Sequence, residues 1–221
     1  MAGYHSPKIV TEGLLVYFDG GNPKSYPRTG TNWQNIAGGA NNAVLTNGPT
    51  YSTENGGSLV FDGTNDYADV GSSASILSST TYTKMAFVYP TSHSTSNNII
   101  SGGNTGQHAF WLAGGNKFQA GHNGNWSIVV SNSTVPLNTW TFGATTYSST
   151  SGWEIYHNGR REATSVTNTT FTGTGNIFIG SYGAASNTFT GRISCVVVYN
   201  RVLSQDEILQ NYDVLRSRFG L

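Results

Sequence analysis

The chain is poor in charge. Only 10% of its 221 residues are Asp, Glu, Lys or Arg, against ~25% in ordinary soluble domains. Eleven basic residues cancel eleven acidic ones, and the only basic pair is Arg160-Arg161 after a turn. This excludes the electrostatic footprint of a nucleic-acid binder. No apolar stretch approaches the ~20 residues of a helical membrane span. The opening MAGYHSPKIV lacks the charged-then-apolar plan of a signal peptide, so synthesis in a cytoplasm is expected. Cys195 is the single cysteine, which rules out an intrachain disulfide. It lies within a β-branched strand beside Ser194 and Val196, where it reads as a buried small hydrophobe and not as a reactive thiol.

Catalytic patterns are equally scarce. Glycoside hydrolysis needs two carboxylates flanking the scissile bond. None of the eleven acids alternates with another as E-x-D or E-x-E on a strand. The five histidines are dispersed without metal-ligand spacing, and no nucleophile-elbow sequence is present. A non-enzymatic protein is expected.

What the chain does have is glycine (28 residues), aromatics (12%) and short alternating apolar runs separated by Gly, Asn, Ser and Thr. GLLVYFD (residues 13–19) and RISCVVVY (residues 192–199) bracket roughly a dozen such runs. The bracket predicts a closed sandwich with its two ends paired side by side. YTKMAFVY (residues 82–89) alternates and is ended by Pro90. Asn158-Gly159 between two runs is a hairpin signal, because both turn positions need positive φ. Ser204 to Glu207 reads as a capping box opening one helix, with Ile208, Tyr212, Leu215 and Phe219 on its apolar face. The expected fold is all-β, a two-sheet antiparallel jelly-roll sandwich over residues 13–203. An N-terminal arm (1–12) precedes it and a C-terminal helix (204–221) packs on it, in one domain.

Taken in order, GLLVYFD, NGPTYSTENGGSLVFDGTNDY (47–67), WEIYHNGRREA (153–163), NIFIGSY (176–182) and FTGRISCVVVYNRVLSQDEI (189–208) resemble the concanavalin A-like, laminin-G-type jelly rolls. The opening HSPKIVTEGLLVYFDGGNPKSYP (5–27) is similar to the form found in tailed-phage structural proteins. The resemblance implies a fold used for glycan or protein binding and adhesion, usually without catalysis. In glucanases of this architecture the catalytic acids alternate along one strand, a pattern missing here. Where the family often carries acids after FxGxI, this chain has Ser194 and Cys195, which argues against carrying over the family's calcium chemistry.

Loops are therefore the place for function. The Gly-rich GHNGNW supplies His122, Asn123, Asn125 and Trp126, and a second polar-aromatic loop supplies Tyr182 and Asn187. These are the candidate ligand-binding residues, with strand or core placement of the tryptophans as the alternative. Asp62, Asp66 and Asp69 form the only acidic cluster, a weak calcium candidate whose simpler reading is turn formation. No other cofactor is expected. The functional expectation is a phage virion surface protein, a capsid decoration or tail appendage, adhering to glycans. Residues 1–12 would dock on other virion proteins, and homo-oligomers would multiply weak contacts. A purely architectural decoration protein and a bacterial carbohydrate-binding module are the alternatives.

Overall fold

The structure, a computed structural model, describes residues 8–39, 41–93, 96–102 and 108–221. Its axis is the strand Thr81–Pro90, flanked by Thr141–Ser148 on one edge and Thr190–Tyr199 on the other. Gly152–His157 and Arg160–Ser165 extend the sheet beyond Thr141–Ser148. At the far edge, Thr190–Tyr199 is shared by two partners. Its first residues pair with Ser58–Asp62, and Cys195 to Tyr199 pair antiparallel with Leu14–Asp19. The opening and closing runs therefore lie side by side. Between the two partners the register slips, and the Ser194 carbonyl accepts from Gly20 N there at 2.8 Å.

The opposing layer combines a four-stranded sheet (Asn125–Val130, Lys117–His122, His108–Ala113, Asn97–Asn98) with a five-stranded one. The latter runs Asn32–Trp33, Ala43–Thr46, Tyr67–Ser72, Asn176–Ile179, Ile100–Ser101. Ile99 stitches them together, its N–H donating to Phe110 O at 3.0 Å and its carbonyl accepting from Gly180 N at 3.2 Å. Two antiparallel layers with one C-terminal helix make the expected jelly-roll sandwich.

Thr81–Pro90 explains the packing. Tyr82, Ala86 and Val88 join the core between the sheets, whereas Met85 and Phe87 join a second core under the helix. A strand covered on both faces is buried at nearly every position. The helix Gln205–Arg216 thus covers the outer face of the large sheet, and a 3-10 turn, Ser217–Phe219, brings Phe219 against Phe87 and Trp140. Ile208, Tyr212, Leu215 and Phe219 pack on this core as the sequence pattern predicts, and Asn211 is buried among them. Asn211 is inside because it is an anchor: its Oδ1 accepts from Val10 N at 2.8 Å and its amide donates to Tyr199 Oη at 3.0 Å.

The same contact corrects the arm. Lys8 to Glu12 are fastened to the body, with Gln210 donating to Lys8 O (2.7 Å), Tyr199 to Val10 O (2.8 Å) and Arg201 to Glu12 O (3.0 Å). Residues 1–7 of the expected docking arm lie outside the described residues.

The local signals form as their chemistry requires. Asn158 and Gly159 have φ of 48° and 77°, and a Cβ on Gly159 would meet Tyr212 at 2.8 Å, so the turn also seats the helix. Ser204 Oγ accepts from Glu207 N at 3.3 Å, and Glu207 Oε2 accepts from Ser204 N at 2.9 Å. Hydrogen bonds from Arg201 hold the Glu207 carboxyl down at about 2. Ser204→Ala is expected to cost about 1 kcal/mol, read as a lower urea midpoint at unchanged m-value.

Candidate binding cleft

The strand His108–Ala113 alternates Phe110 and Leu112 into the core, leaving Ala109 and Trp111 on the outer face of the four-stranded sheet. Trp111 Nε1 donates to Trp126 O at 3.1 Å, fixing the neighbouring edge strand so that the half-buried Trp126 ring stands beside it. Opposite, the loop after Asn176–Ile179 closes on itself. Tyr182 N donates to Ser186 O at 2.8 Å and Ser181 Oγ to the same carbonyl at 3.0 Å. Asn98 Nδ2 donates to Asn187 O at 2.9 Å. The loop is thereby pinned to the sheet, and Tyr182 meets Trp126 edge-to-face with centroids 5.2 Å apart at 66°.

Trp111, Trp126, Tyr182, Asn98, Asn187 and Ser96 line a cleft of about 150 Å³. That is below the ~300 Å³ of pockets that enclose a drug-sized ligand, so the cleft receives one ring or chain end from the side. None of its lining residues among those described is charged. Asn187 is exposed at the mouth of the cleft. Burial raises the Tyr182 phenol, so it stays neutral, a hydrogen-bonding group on an aromatic face.

Of the residues read from sequence, Trp126, Tyr182 and Asn187 come together here. The others do not. His122 continues the inward alternation of Phe118 and Ala120 and is buried, with Nε2 donating to Thr169 O (2.8 Å) and Nδ1 accepting from Tyr82 Oη (3.1 Å). Its ring packs on Tyr147, Trp153 and Phe171, and burial holds its pKa down at about 4. It is a core histidine, contrary to the loop reading. Asn123 is a clamp, donating to Thr170 O at 2.7 Å and accepting from Thr172 N and Oγ1, each at 3.2 Å. Asn125 is exposed at the strand start and does not line the cleft.

The acidic cluster follows the simpler of its two readings, turn formation. Asp62 Oδ1 caps Thr64 N (2.7 Å) and Asn65 N (3.3 Å), which lowers its pKa. Asp66 accepts from Asp62 N (3.1 Å), with burial raising its pKa, and Asp69 is engaged by Gly71 N and Asn176 Nδ2. Among the described residues no three His, Cys, Asp or Glu side chains are grouped to hold a metal.

Sequence reasoning missed Trp111, Asn98 and Ser96. The alternation in HAFWLA carries the signal for Trp111, since it puts a tryptophan opposite the core face. Also missed is a buried polar pair between the sheets: Lys84 Nζ lies 2.5 Å from His108 Nδ1, and both residues are fully buried.

Residues 62–209, about two thirds of the chain, match the Laminin_G_3 family, described as the concanavalin A-like lectin/glucanases superfamily. No curated protein sequence matches the chain. Among solved structures it is similar to a Trypanosoma rangeli sialidase mutant displaying trans-sialidase activity (TM-score 0.69, 15% identity, 96% of this chain and 34% of that one). It is also similar to domain 4 of AbnA, an extracellular arabinanase of Geobacillus stearothermophilus in complex with arabinotriose (TM-score 0.69, 14% identity, 91% and 98%). A third is the binding domain of Paraclostridial Mosquitocidal Protein 1 (TM-score 0.72, 11% identity, 91% and 52%). The chain spans about a third of the sialidase's length. At these identities the likenesses establish a shared fold.

Proposed function

The chain belongs to the concanavalin A-like lectin/glucanases superfamily, in its laminin-G-type form, and from that premise we propose that it is a non-enzymatic glycan-binding domain working through the Trp126–Tyr182 cleft. The observation that carries this reading is the cleft itself. Two aromatic rings 5.2 Å apart stand over an uncharged floor with the Asn187 amide at its rim. Sugars offer apolar C–H faces and hydroxyl edges, and such a site answers both with aromatic faces and neutral hydrogen-bonding groups. The absence of carboxylates from the lining supports binding without hydrolysis, because that chemistry needs two of them at the bond.

Replacing Trp126 by alanine is expected to weaken glycan binding roughly thirty-fold, as a buried aromatic hot spot worth about 2 kcal/mol would. Glycan-array screening followed by calorimetry checks it, and retention of full affinity by both Trp126→Ala and Tyr182→Ala would refute the assignment.

The setting we propose is a phage virion surface, as a capsid decoration or tail appendage adhering to host or environmental glycans. The support is the similarity of residues 5–27 to tailed-phage structural proteins. Residues 1–7 would contact other virion proteins, and many copies would raise avidity. Immunogold labelling of purified particles decides it: unlabelled particles exclude this setting and leave the glycan site standing.

A further inference from the structure

The cleft does not end at Trp126. A second hollow, of about 440 Å³, shares Ser96 and Asn187 with it and continues over Leu112, Ala113 and the Gly114–Asn116 turn to His93. The two hollows follow one strand. Ala109 and Trp111 line the first, Leu112 and Ala113 the second. Ala109 to Ala113 spans four steps of ~3.3 Å, about 13 Å in all, before the hairpin adds its own length. One sugar ring is shorter than that; a short run of linked rings fits it.

The chemistry of the lining changes along this path. The first hollow is aromatic, with Trp111, Trp126 and Tyr182. In the second hollow, among the described residues, Ala113 is the apolar side chain on the outer face, since the Leu112 side chain turns into the core, the rest being Gly114, Gly115, Ser96, Asn116, Asn187 and His93. His93 is held in place through Nε2, 3.0 Å from Val135 O. Asn116 sits at φ 62°, and its carbonyl accepts from Val135 N at 2.7 Å. The turn that forms this wall is thus fixed by backbone bonds, and no described residue bonds the Asn116 side chain. Among the described residues neither hollow is lined by Asp, Glu, Lys or Arg. Recognition of a sialic or uronic carboxylate calls for a paired cation, ideally a bidentate arginine, and none lines this groove.

We infer that the two hollows form one extended groove for a neutral linear oligosaccharide, one ring stacking at Trp126 and Tyr182 and the following rings running past Asn187 towards Asn116. This rests on the glycan reading of the first hollow and adds chain length and charge selectivity to it.

The test uses the full chain on an array of cello-, xylo-, arabino- and chito-oligosaccharides from monosaccharide to hexasaccharide, with sialylated glycans alongside. Calorimetry then follows on the series that binds. Affinity should climb with chain length, at least tenfold from the shortest bound member to the plateau, and sialylated glycans should not be preferred. Ala113→Trp, which fills the second hollow, should return the long members to the affinity of the short one and leave the short one unchanged. Asn116→Gly, which keeps the left-handed backbone, should lower long-chain affinity alone. Equal affinity along the series, a preference for sialylated glycans, or long-chain binding indifferent to both variants overturns the extended groove. If short glycans still bind through Trp126 in those cases, the first hollow survives. If no glycan on the array binds, both readings fall.

Discussion

Arg218→Ala is expected to lower the stability of the fold by about 3–5 kcal/mol, a fall in melting temperature of roughly 10 °C for a domain of this size. Asp19 closes the first strand and is buried. Arg218 Nη1 reaches its two carboxylate oxygens at 2.8 and 2.9 Å, and Nη2 donates to Ser194 Oγ at 3.0 Å. The Cys195 thiol lies 3.7 Å from the same guanidinium, the cationic neighbour that the flanking sequence does not display. Burial nevertheless raises the thiol pKa far above its ordinary value, so Cys195 is inert. Gly21 makes room for the guanidinium, since a Cβ there would sit 2.4 Å from Nη2. Removing Arg218 takes the cation from a carboxylate that is only 7% exposed, leaving Gly21 N and the Tyr17 hydroxyl as its donors among the described residues, and that uncompensated burial is the main cost.

Two comparisons separate this from ordinary ion-pair loss. Arg216→Ala breaks a pair with Asp213 whose side chains are 45% and 50% exposed, and should cost under ~1 kcal/mol. Asp19→Asn combined with Arg218→Met should lose less than the sum of the single changes, because neither leaves the other stranded. Additive losses in urea denaturation would show that the pair is not coupled.

This lock also marks what one dimension can and cannot show. Pairing of residues 14–19 with 195–199 was legible because both lie in apolar runs bounded by turn residues. The Asn158-Gly159 turn and the Ser204 cap were legible because each is a local rule satisfied within four residues. Arg218 meeting Asp19 is a contact across 199 residues, and nothing local in either segment encodes it. Alternation assigns side chains to faces but does not say what covers a face. Thus YTKMAFVY is a strand by its pattern, yet burial of both its sides follows only once the helix lies on it. At the cleft, Trp126 and Tyr182 were legible as aromatics among Gly and Asn. His122 was misplaced because membership of a Gly-rich stretch was weighed above the parity of Phe118, Ala120 and His122, which points it inward.

Lys84 and His108 give the second large effect. His108→Leu is expected to destabilise the fold by about 3–5 kcal/mol, whereas Lys84→Met combined with His108→Leu should equal or exceed the wild type, by up to ~4 kcal/mol. Lys84 Nζ has His108 Nδ1 at 2.5 Å and Ile100 O at 3.5 Å as its partners, with the Tyr82 ring face 5.1 Å away. His108 Nε2 is buried without a hydrogen-bond partner among the described residues. Losing the imidazole strands the amine between the sheets; losing both replaces two desolvated polar groups by apolar volume. Burial depresses both residues well below their ordinary values, His108 further through Lys84 and His122, and burial also depresses His122. All three groups therefore bind protons more readily when unfolded, so stability falls as pH is lowered. His122 alone, at about 4 against 6.5, accounts for roughly 3 kcal/mol lost between pH 6.5 and 4, at ~1.4 kcal/mol per unit. The depressed Lys84 makes stability rise as pH increases towards 10.5. In the double variant the alkaline rise should vanish and the histidine part of the acid loss should shrink to the His122 share. Urea denaturation from pH 4 to 10 reads both limbs. Unchanged stability from pH 7 down to 4, or a double variant less stable than His108→Leu, would contradict the account of a buried pair whose protonation burial disfavours.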